Sequence, residues 1–297
     1  MSKKKARKSV NPRIVFALLM LLCTGLFTYP TFSELWNEYH STSVITNYSS
    51  NVAKLSREDH ESAWTNAVEY NRRLSETNGL EWPVTDEEQE EYDSLLSIDG
   101  TGNMGYITIP KIGVNLPVYH GTGESVMQFA VGHLMGTSLP VGNVQDIADA
   151  GNGDFPSNCV LSSHTGNPSA RLFSDIDQLV EGDLFYLTIL DKVLTYQVVS
   201  REIVLPENLS LFGFEPNEDY CTLVTCTPFG LNTHRLIVRA KRVPNAKGKT
   251  QIALVSDAMK VDVKRYLPVL IVPVILCFTI YILIPKTRKN KKAENVL

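Results

Sequence analysis

The pattern of hydrophobic positions divides the chain into helical ends and a strand-rich middle. Residues 34–78 contain neither proline nor glycine, and apolar side chains recur among them at spacings of three and four. They are Ile45, Tyr48, Val52, Leu55, Ala63, Ala67, Tyr70 and Leu74. Such a stripe predicts one amphipathic helix or two. Asn78 and Gly79 end it, and the acidic stretch that follows, up to Asp99, predicts a short helix and loop outside the core.

After Gly105 the chain consists of short β-branched and aromatic runs separated by glycine, proline and asparagine. The runs are YITIP, LPVYH, CVLSSH, LFYLTIL, VLTYQVV, EIVL, CTLVTC and RLIVRA. Strands at this density predict an all-β barrel or sandwich, with helical interludes at 124–130 and 170–179. Residues 141–157 show no apolar period and predict a long surface loop. Three acids in that loop do not have EF-hand spacing, so a solvated loop is favoured over a calcium site; they are Asp146, Asp149 and Asp154.

Two apolar segments are long enough to cross a membrane. Residues 14–33 and 266–285 each form a run of 20 residues without a charged side chain. The first could instead be a cleaved signal peptide, but no clear small-residue cleavage site follows it, which favours a retained anchor. The second is followed by five basic residues, a pattern typical of a cytoplasmic stop-transfer sequence.

The charges along the chain predict an orientation. Both ends are basic, whereas residues 34–265 carry 17 Lys and Arg against 31 Asp and Glu. Basic flanks stay in the cytoplasm, so we expect a cell-membrane protein with both tails inside and its middle on the extracellular face, although Lys264 and Arg265 weaken the contrast. An acidic middle argues against a nucleic-acid partner, because phosphates require a basic surface.

These signals predict seven segments. They are a basic tail (1–13), a transmembrane helix (14–33), a helical segment (34–103), a strand-rich domain (104–245), a linker (246–265), a second transmembrane helix (266–285) and a second basic tail (286–297).

Three of the five cysteines lie outside the apolar segments. An odd thiol in an exported domain points to a reactive cysteine, although a small buried side chain is the commoner fate of a single Cys. Cys159 and Cys221 lie five residues before His164 and Cys226, respectively. If their strands are parallel neighbours, Cys159 and Cys221 fall at one level, and odd spacing turns them away from the face of His164 and Cys226. Two buried free thiols are favoured over a disulfide.

Cys226, His164 and Arg235 form a candidate catalytic set. Cys226 ends a strand just before Pro228, and His164 also follows a strand, so both side chains can reach solvent. A short connection after Cys226 would bring Arg235 back beside it on an antiparallel neighbour. A thiol nucleophile needs a proton shuttle and a donor for the developing oxyanion, which imidazole and guanidinium supply.

The remaining histidines are given lesser roles. His40, His60 and His133 are assigned to surface or core positions, whereas His120 and His234 are candidates for supporting the catalytic residues. The chain lacks the papain cysteine motif, and no C-x-x-C or H-x-x-x-H pair lies outside the apolar segments, so a papain-like protease and a zinc site are disfavoured.

Several motifs, found together in this order, resemble those of sortases. They are MGYITIPKIGVNLPVYHGTGE, VGHLMGTSLPVG, SSHTG, ARLFSDIDQLVEGDLFY, TLVTCTP and NTHRLIVR, and with the C-terminal apolar segment they look like class C, pilin-polymerising sortases. The resemblance implies a mainly β protein, a closed eight-stranded sortase-like β-barrel with an N-terminal helical segment and two flanking transmembrane helices. It also implies Cys226 as nucleophile, His164 as general acid and base, and Arg235 as the substrate and oxyanion residue.

The same resemblance implies a function. Class C sortases cleave an LPxTG-like sorting signal between Thr and Gly through a thioester and transfer it to a Lys amine of the next pilin subunit. Neither a cofactor nor a metal is required, and the expected partners are pilin subunits and membrane lipid. Two alternatives stay open: a sortase that anchors proteins to a peptidoglycan amine, and a membrane-tethered binding module in which Cys226 is merely buried.

A covering lid is a further expectation from the resemblance. The family's lid carries an Asp before an aromatic residue, often with a Pro between them, and this chain has no Asp-Pro pair. Glu81 and Trp82 offer a carboxylate and an aromatic in the same order, and Pro83 would hold Trp82 extended. The alternative is that Trp82 packs the helical segment onto the barrel.

Overall fold

The computed structural model describes residues 12–77, 84–144, 153–167, 170–245 and 263–284. The chain divides into two compact units. One unit comprises Met1–Ser33 and Val261–Leu297, and the other comprises Glu34–Lys260.

The described part of the first unit is helical. Helix α1 (Pro12–Val52) belongs to this unit up to Ser33 and to the second unit from Glu34. It begins on a proline, which suits the first turn because proline has no N–H to leave unpaired. The Thr24 and Thr28 hydroxyls donate to the carbonyls of Met20 and Thr24, so these polar groups are satisfied within the apolar helix. Of the helices in the described residues, α1 alone is long and apolar enough to cross a membrane.

The second apolar segment also lies in a helix, which spans Val263–Leu283 and is labelled α5 below. Its described apolar part, Ile271–Leu283, is shorter than a full span. Membrane insertion of this segment therefore stays a prediction, as do the linker and both basic tails, which lie wholly or largely outside the described residues.

Two further helices follow α1 in the second unit, as the stripe and the acidic stretch predict. Helix α2 (Arg57–Glu76) begins with a capping box in which Ser56 and Asp59 satisfy each other's backbone N–H groups. Helix α3 (Asp86–Ser94) begins with a second capping box, formed by Thr85 and Glu88. These caps fix where the helices begin.

Eight strands form a closed barrel, so the predicted fold class is confirmed. They are β1 (Asn103–Ile109), β2 (Val114–His120), β3 (Val131–His133), β4 (Ser157–Ser162), β5 (Leu184–Ile189), β6 (Lys192–Val204), β7 (Asp219–Thr227) and β8 (His234–Val243). Their order around the barrel is β1-β2-β3-β4-β7-β8-β6-β5. The β2–β3 and β4–β7 pairs are parallel and the other pairs are antiparallel. A short helix, α4 (Glu124–Met127), precedes β3.

The strands and interludes differ from the sequence pattern in three places. VLTYQVV and EIVL are one continuous strand, β6, with a register shift between Val198 and Ser200. Strand β3 was not predicted, because Val-Gly-His has no apolar run and forms a strand through its pairing with β2 and β4. The predicted helix at 170–179 is wrong: this segment consists of turns and a short 3-10 helix, Ile176–Gln178.

The reason for the last difference lies in hydrogen bonds to the loop that follows β4. The Phe173 N–H donates to the His164 carbonyl over 3.1 Å. The Ser174 hydroxyl accepts from the Gly166 N–H over 2.8 Å. Bonds to the loop after β4 take the place of the i→i−4 bonds of an α-helix, so the conformation of this segment depends on that loop.

Buried polar contacts tie the helices of the second unit to the barrel. The Tyr48 hydroxyl donates to the Met104 carbonyl over 2.7 Å and accepts from the Leu190 N–H over 2.8 Å. The Asn71 amide bonds both backbone groups of Leu139 and the carbonyl of Gly142. Because all these groups are removed from water, each bond also prevents the penalty of an unpaired polar group.

Candidate active site

Strand β7 presents Cys226 at its end. The strand stops at Thr227, and Pro228 has no N–H with which to continue the ladder. Side chains alternate along a strand, and Cys221 and Leu223 belong to the hydrophobic core inside the barrel. Cys226, at odd spacing from both, therefore faces the outside of the barrel, where it is partly exposed.

Arg235 lies directly opposite Cys226 on the antiparallel strand β8, as predicted. Directly opposed residues share one face of a sheet, so the guanidinium and the thiol both belong to the outer face. Arg235 Nη1 donates to the carbonyls of Asn232 and His234, at 3.1 and 3.2 Å. These bonds hold the side chain against its own turn.

His164 reaches the level of Cys226 through the parallel pairing of β4 with β7. The last paired residues are Ser162 and Val224. The pairing continues past the strand end, because the Ser163 N–H donates to the Val224 carbonyl at 3.2 Å and the Thr225 hydroxyl donates to the Ser163 carbonyl at 2.7 Å. The next residue on each strand is His164 and Cys226, respectively. The His164 side chain is 34% exposed.

A fourth side chain, Glu124, lies beside His164, although the sequence analysis gave it no role in the site. One of its carboxylate oxygens, Oε2, lies 3.5 Å from His164 Nε2, and the other, Oε1, accepts from Gln128 Nε2 at 3.4 Å. Glu124 is the first residue of α4. The chain brings it to His164 because β3, which follows α4, pairs with β4. In the sequence, Glu124 begins the predicted helical interlude at 124–130 and ends the motif MGYITIPKIGVNLPVYHGTGE, and neither feature links it to His164.

Gly166 allows the loop after His164 to approach the turn after Cys226 closely. Gly166 has a φ of +66°, and a Cβ there would lie 1.7 Å from the Phe229 ring. Phe229 belongs to the turn between β7 and β8. Only glycine allows both this backbone conformation and this close approach, so the ring locks the turn after Cys226 against the loop after His164.

The other two thiols of the second unit lie inside the barrel. Cys159 and Cys221 are paired across β4 and β7, are buried, and are free rather than bonded, as predicted. Burial raises the pKa of the Cys221 thiol, and its hydrogen bond to Cys159 raises it further. Both thiols are enclosed in the barrel, where a substrate cannot reach them, which leaves Cys226 as the thiol suited to chemistry.

The supporting histidines lie in two different places. His234 pairs with Thr227 beside Arg235, and its Nδ1 lies 2.9 Å from the Thr233 hydroxyl. His120 pairs with His133, which in turn pairs with Leu161, and therefore lies about three residues below the level of His164. Its ring packs edge-on against Tyr92, and burial lowers its pKa.

His133 is a buried core residue, in agreement with its assignment. Its Nδ1 lies 2.8 Å from the Tyr92 hydroxyl, and its Nε2 lies 2.8 Å from the Ser138 carbonyl. A carbonyl only accepts, so Nε2 donates to Ser138. The Tyr92 hydroxyl also donates to the carbonyl of His133 itself over 3.2 Å, so both ring nitrogens and the backbone carbonyl have partners within the core.

Some of the predicted residues lie outside the described ranges. Glu81 and Trp82 are among them, so the lid stays a prediction from the sequence. Asp146 and Asp149 are also outside, and Asp154 is described. Among the described residues, no three His, Cys, Asp or Glu side chains are grouped as a metal site would require.

The arrangement can perform acyl transfer. One end of the barrel carries the thiol of β7, the guanidinium of β8 and, on the loop that directly follows β4, the imidazole of His164. The thiol can attack a carbonyl, the imidazole can move protons to and from nitrogen, and the guanidinium can donate hydrogen bonds to an oxyanion.

Comparison with known proteins supports this interpretation. The sequence profile of the sortase domain matches residues 107–243. Sortase A of Streptococcus agalactiae serotype III (strain NEM316) is 31% identical over 143 residues, a match that takes in 46% of this chain and 52% of that protein. The chain thus spans about half the length of this curated relative.

Solved structures match over more of the chain. The crystal structure of sortase C1 from Streptococcus agalactiae is 46% identical with a TM-score of 0.63, and the match covers 69% of this chain and all of that one. Sortase C of Streptococcus pneumoniae, whose structure is described in terms of pilin substrate specificity, is 35% identical with a TM-score of 0.58, over 68% of this chain and 97% of that one. The chain belongs to the sortase family.

Proposed function

We propose that this sortase is a cysteine transpeptidase that joins pilin subunits. The observation that carries the proposal is the pairing of Cys226 with Arg235 on β7 and β8, with His164 two residues past the end of the adjacent strand β4. The class C sortases among its structural neighbours support the choice of pilins as substrates.

The proposed reaction has two halves. In the first, the Cys226 thiolate attacks the Thr carbonyl of an LPxTG-like signal, the C–N bond to Gly breaks, and protonated His164 gives its proton to the leaving amine. A thioester on Cys226 results. In the second, a Lys amine of another pilin attacks the thioester, the C–S bond breaks, and an isopeptide bond forms. Arg235 stabilises the oxyanion in both halves, and no cofactor is required.

The surface beside Cys226 suits an apolar peptide. Val204, the last residue of β6, pairs with Arg235 and therefore shares its face of the sheet. Leu205 and Leu209, on the connection that follows, are 52% and 59% exposed. Exposed apolar side chains grouped beside a reactive group are typical of a binding surface, and the Leu-Pro of a sorting signal provides matching apolar groups.

The proposed location is the cell membrane. Helix α1 would anchor the protein, α5 would provide the second span, the barrel would lie on the extracellular face, and both basic tails would stay in the cytoplasm. A tethered barrel on this face would meet sorting signals on exported pilins.

An acceptor assay tests the proposal. The full chain in detergent is incubated with an LPxTG-like peptide and, separately, with a lysine-containing pilin peptide or with a triglycine peptide as a mimic of a peptidoglycan amine. Mass spectrometry identifies the products. We expect an isopeptide product with the lysine peptide, and its absence in Cys226→Ala but not in the control Cys23→Ala.

Other outcomes would contradict the proposal. Transfer to triglycine alone would indicate a sortase that anchors proteins to the cell wall. Alkylation of Cys226 without any thioester or product would indicate a binding module.

A further inference from the structure

We infer that Glu124 forms a subsite for the ammonium group of the acceptor substrate. This inference rests on the proposed function and concerns its second half-reaction. The ligand is a primary amine in its charged form, carried by a protein lysine or by a peptide N-terminus.

The order of the charged and reactive side chains along the end of the barrel shows which side is open to the acceptor. Strand order β3-β4-β7-β8 places α4 and Glu124 before His164, Cys226 next, and Arg235 last. The exposed side chains of Leu205 and Leu209 follow the end of β6, which lies beyond Arg235 because β6 is the other neighbour of β8. A sorting signal bound on that side leaves the His164 and Glu124 side of the thioester open to the second substrate.

The exposure of Glu124 makes its carboxylate accessible to a substrate. Its side chain is 71% exposed, whereas that of His164 is 34% exposed. A carboxylate so open to water contributes little to holding a histidine, since exposed ion pairs are weak. The same openness leaves the carboxylate free to meet a cation arriving from solvent.

The Glu124 carboxylate and the His164 imidazole are close enough to bind one ammonium group together. Glu124 Oε2 and His164 Nε2 are 3.5 Å apart, so one ammonium nitrogen can lie within hydrogen-bond distance of both. The Gln128 amide holds the other carboxylate oxygen over 3.4 Å. The Asn167 amide, on the loop after His164, donates to the Gln128 carbonyl at 3.3 Å and ties this loop to α4. The two groups are therefore held together as one site.

The protons balance with this assignment. After the first half-reaction His164 is neutral, having given its proton to the leaving amine. The acceptor ammonium must lose two protons to become an amide nitrogen: one goes to water and the other to His164. As the C–N bond forms and the C–S bond breaks, Cys226 leaves as a thiolate beside the protonated imidazole, and the resting charge state is restored.

The test compares a charged with an uncharged acceptor. Wild type and Glu124→Gln, as full chains in detergent, form the thioester with an LPxTG-like peptide, and it is resolved with Nα-acetyl-lysinamide, triglycine or hydroxylamine. Hydroxylamine is a nucleophile that is uncharged at neutral pH. We expect Glu124→Gln to raise the KM of the charged amines about 3- to 5-fold and Glu124→Lys about 10-fold, with the rate of thioester formation and the hydroxylamine reaction changed less than about 2-fold.

The matched control is Glu61→Gln on α2, where the same charge is lost from a side chain that is 63% exposed. This variant should change neither the KM of the charged amines nor the reaction with hydroxylamine. Equal losses with hydroxylamine and with lysinamide would overturn the inference and show that Glu124 acts through His164. An unchanged KM for every amine would overturn it too. The relative kcat/KM of lysinamide and triglycine shows which amine source the site serves, and absence of a wild-type thioester would contradict the proposed function itself.

Discussion

Cys159 and Cys221 lie directly opposite each other on the parallel strands β4 and β7, inside the barrel. Five residues beyond them, the same register brings His164 to the level of Cys226. The odd spacing moves the second pair to the outer face. One register therefore places two inert thiols in the core and the candidate catalytic pair at the surface.

The first prediction concerns the state of the two buried thiols. They should stay free and unreactive in the folded protein, because they are enclosed in the barrel, where an alkylating reagent cannot reach them. Iodoacetamide should modify Cys226 in the native full chain, and Cys159 and Cys221 only after denaturation. Mass spectrometry of non-reduced peptides checks this; a linked 159–221 peptide would refute it.

The second prediction concerns Tyr48, whose hydroxyl connects the end of α1 to two backbone groups of the barrel. Tyr48→Phe leaves the buried Met104 carbonyl without its donor and the buried Leu190 N–H without its acceptor. The free energy of unfolding should fall by about 1–3 kcal/mol. Thermal unfolding in detergent measures the loss. Tyr39→Phe, at a position on α1 that is 70% exposed, is the control and should leave the melting temperature unchanged.

The third prediction concerns the pH dependence of stability. Asp219 is buried at the start of β7, where its Oδ1 accepts from Ser157 and Tyr196. Burial raises its pKa to about 6 from an ordinary value of 3.8, although Arg242 opposes the shift. The folded state therefore holds the proton more tightly than the unfolded state between these pH values. Its contribution to stability is largest below pH 4 and is lost as the pH rises to 6.

Asp219→Asn tests this linkage, because the amide does not titrate. Between pH 4 and pH 7 the wild type should lose on the order of 3 kcal/mol relative to the variant. Denaturant unfolding at each pH measures the difference. Asp177→Asn, at an exposed carboxylate, should show no such trend. A constant difference between wild type and Asp219→Asn would show that Asp219 is ionised throughout this range.

Much of the fold follows from local patterns in the sequence. The stripe over 34–78 predicted helices because proline and glycine are absent, and Ser56 with its capping box explains why there are two. The placement of Arg235 opposite Cys226 followed from the short turn between two strands. Sortase-like motifs, in order, supplied the barrel closure that periodicity alone could not, since a barrel and a sandwich have the same alternation.

The parts that local pattern did not predict depend on distant contacts. Strand β3 is three residues long and exists because β2 and β4 flank it. Residues 170–179 have an apolar pattern typical of a helix, but their backbone bonds to the loop after His164. Glu124 is 40 positions from His164 in the sequence. No spacing rule connects them, and only the pairing of β3 with β4 brings them together.

The fourth prediction concerns the two groups that flank Cys226. His164→Ala removes the proton shuttle and Arg235→Ala removes the oxyanion donor, so each should slow thioester formation at least about 100-fold. Single-turnover kinetics with an LPxTG-like peptide measure the rates. His40→Ala, at an exposed position on α1, is the control. Near-normal activity in His164→Ala would refute the assignment of this residue.

Cys226 carries the acyl group of the sorting signal as a thioester in the proposed reaction, and intact-mass spectrometry tests this directly. The full chain in detergent is mixed with an LPxTG-like peptide and quenched in acid, and the modified residue is located by digestion. We expect a thioester on Cys226 with the mass of the peptide up to Thr, and we expect none in Cys226→Ala. A wild-type protein that forms no adduct on Cys226, or an adduct that persists in Cys226→Ala, would contradict it.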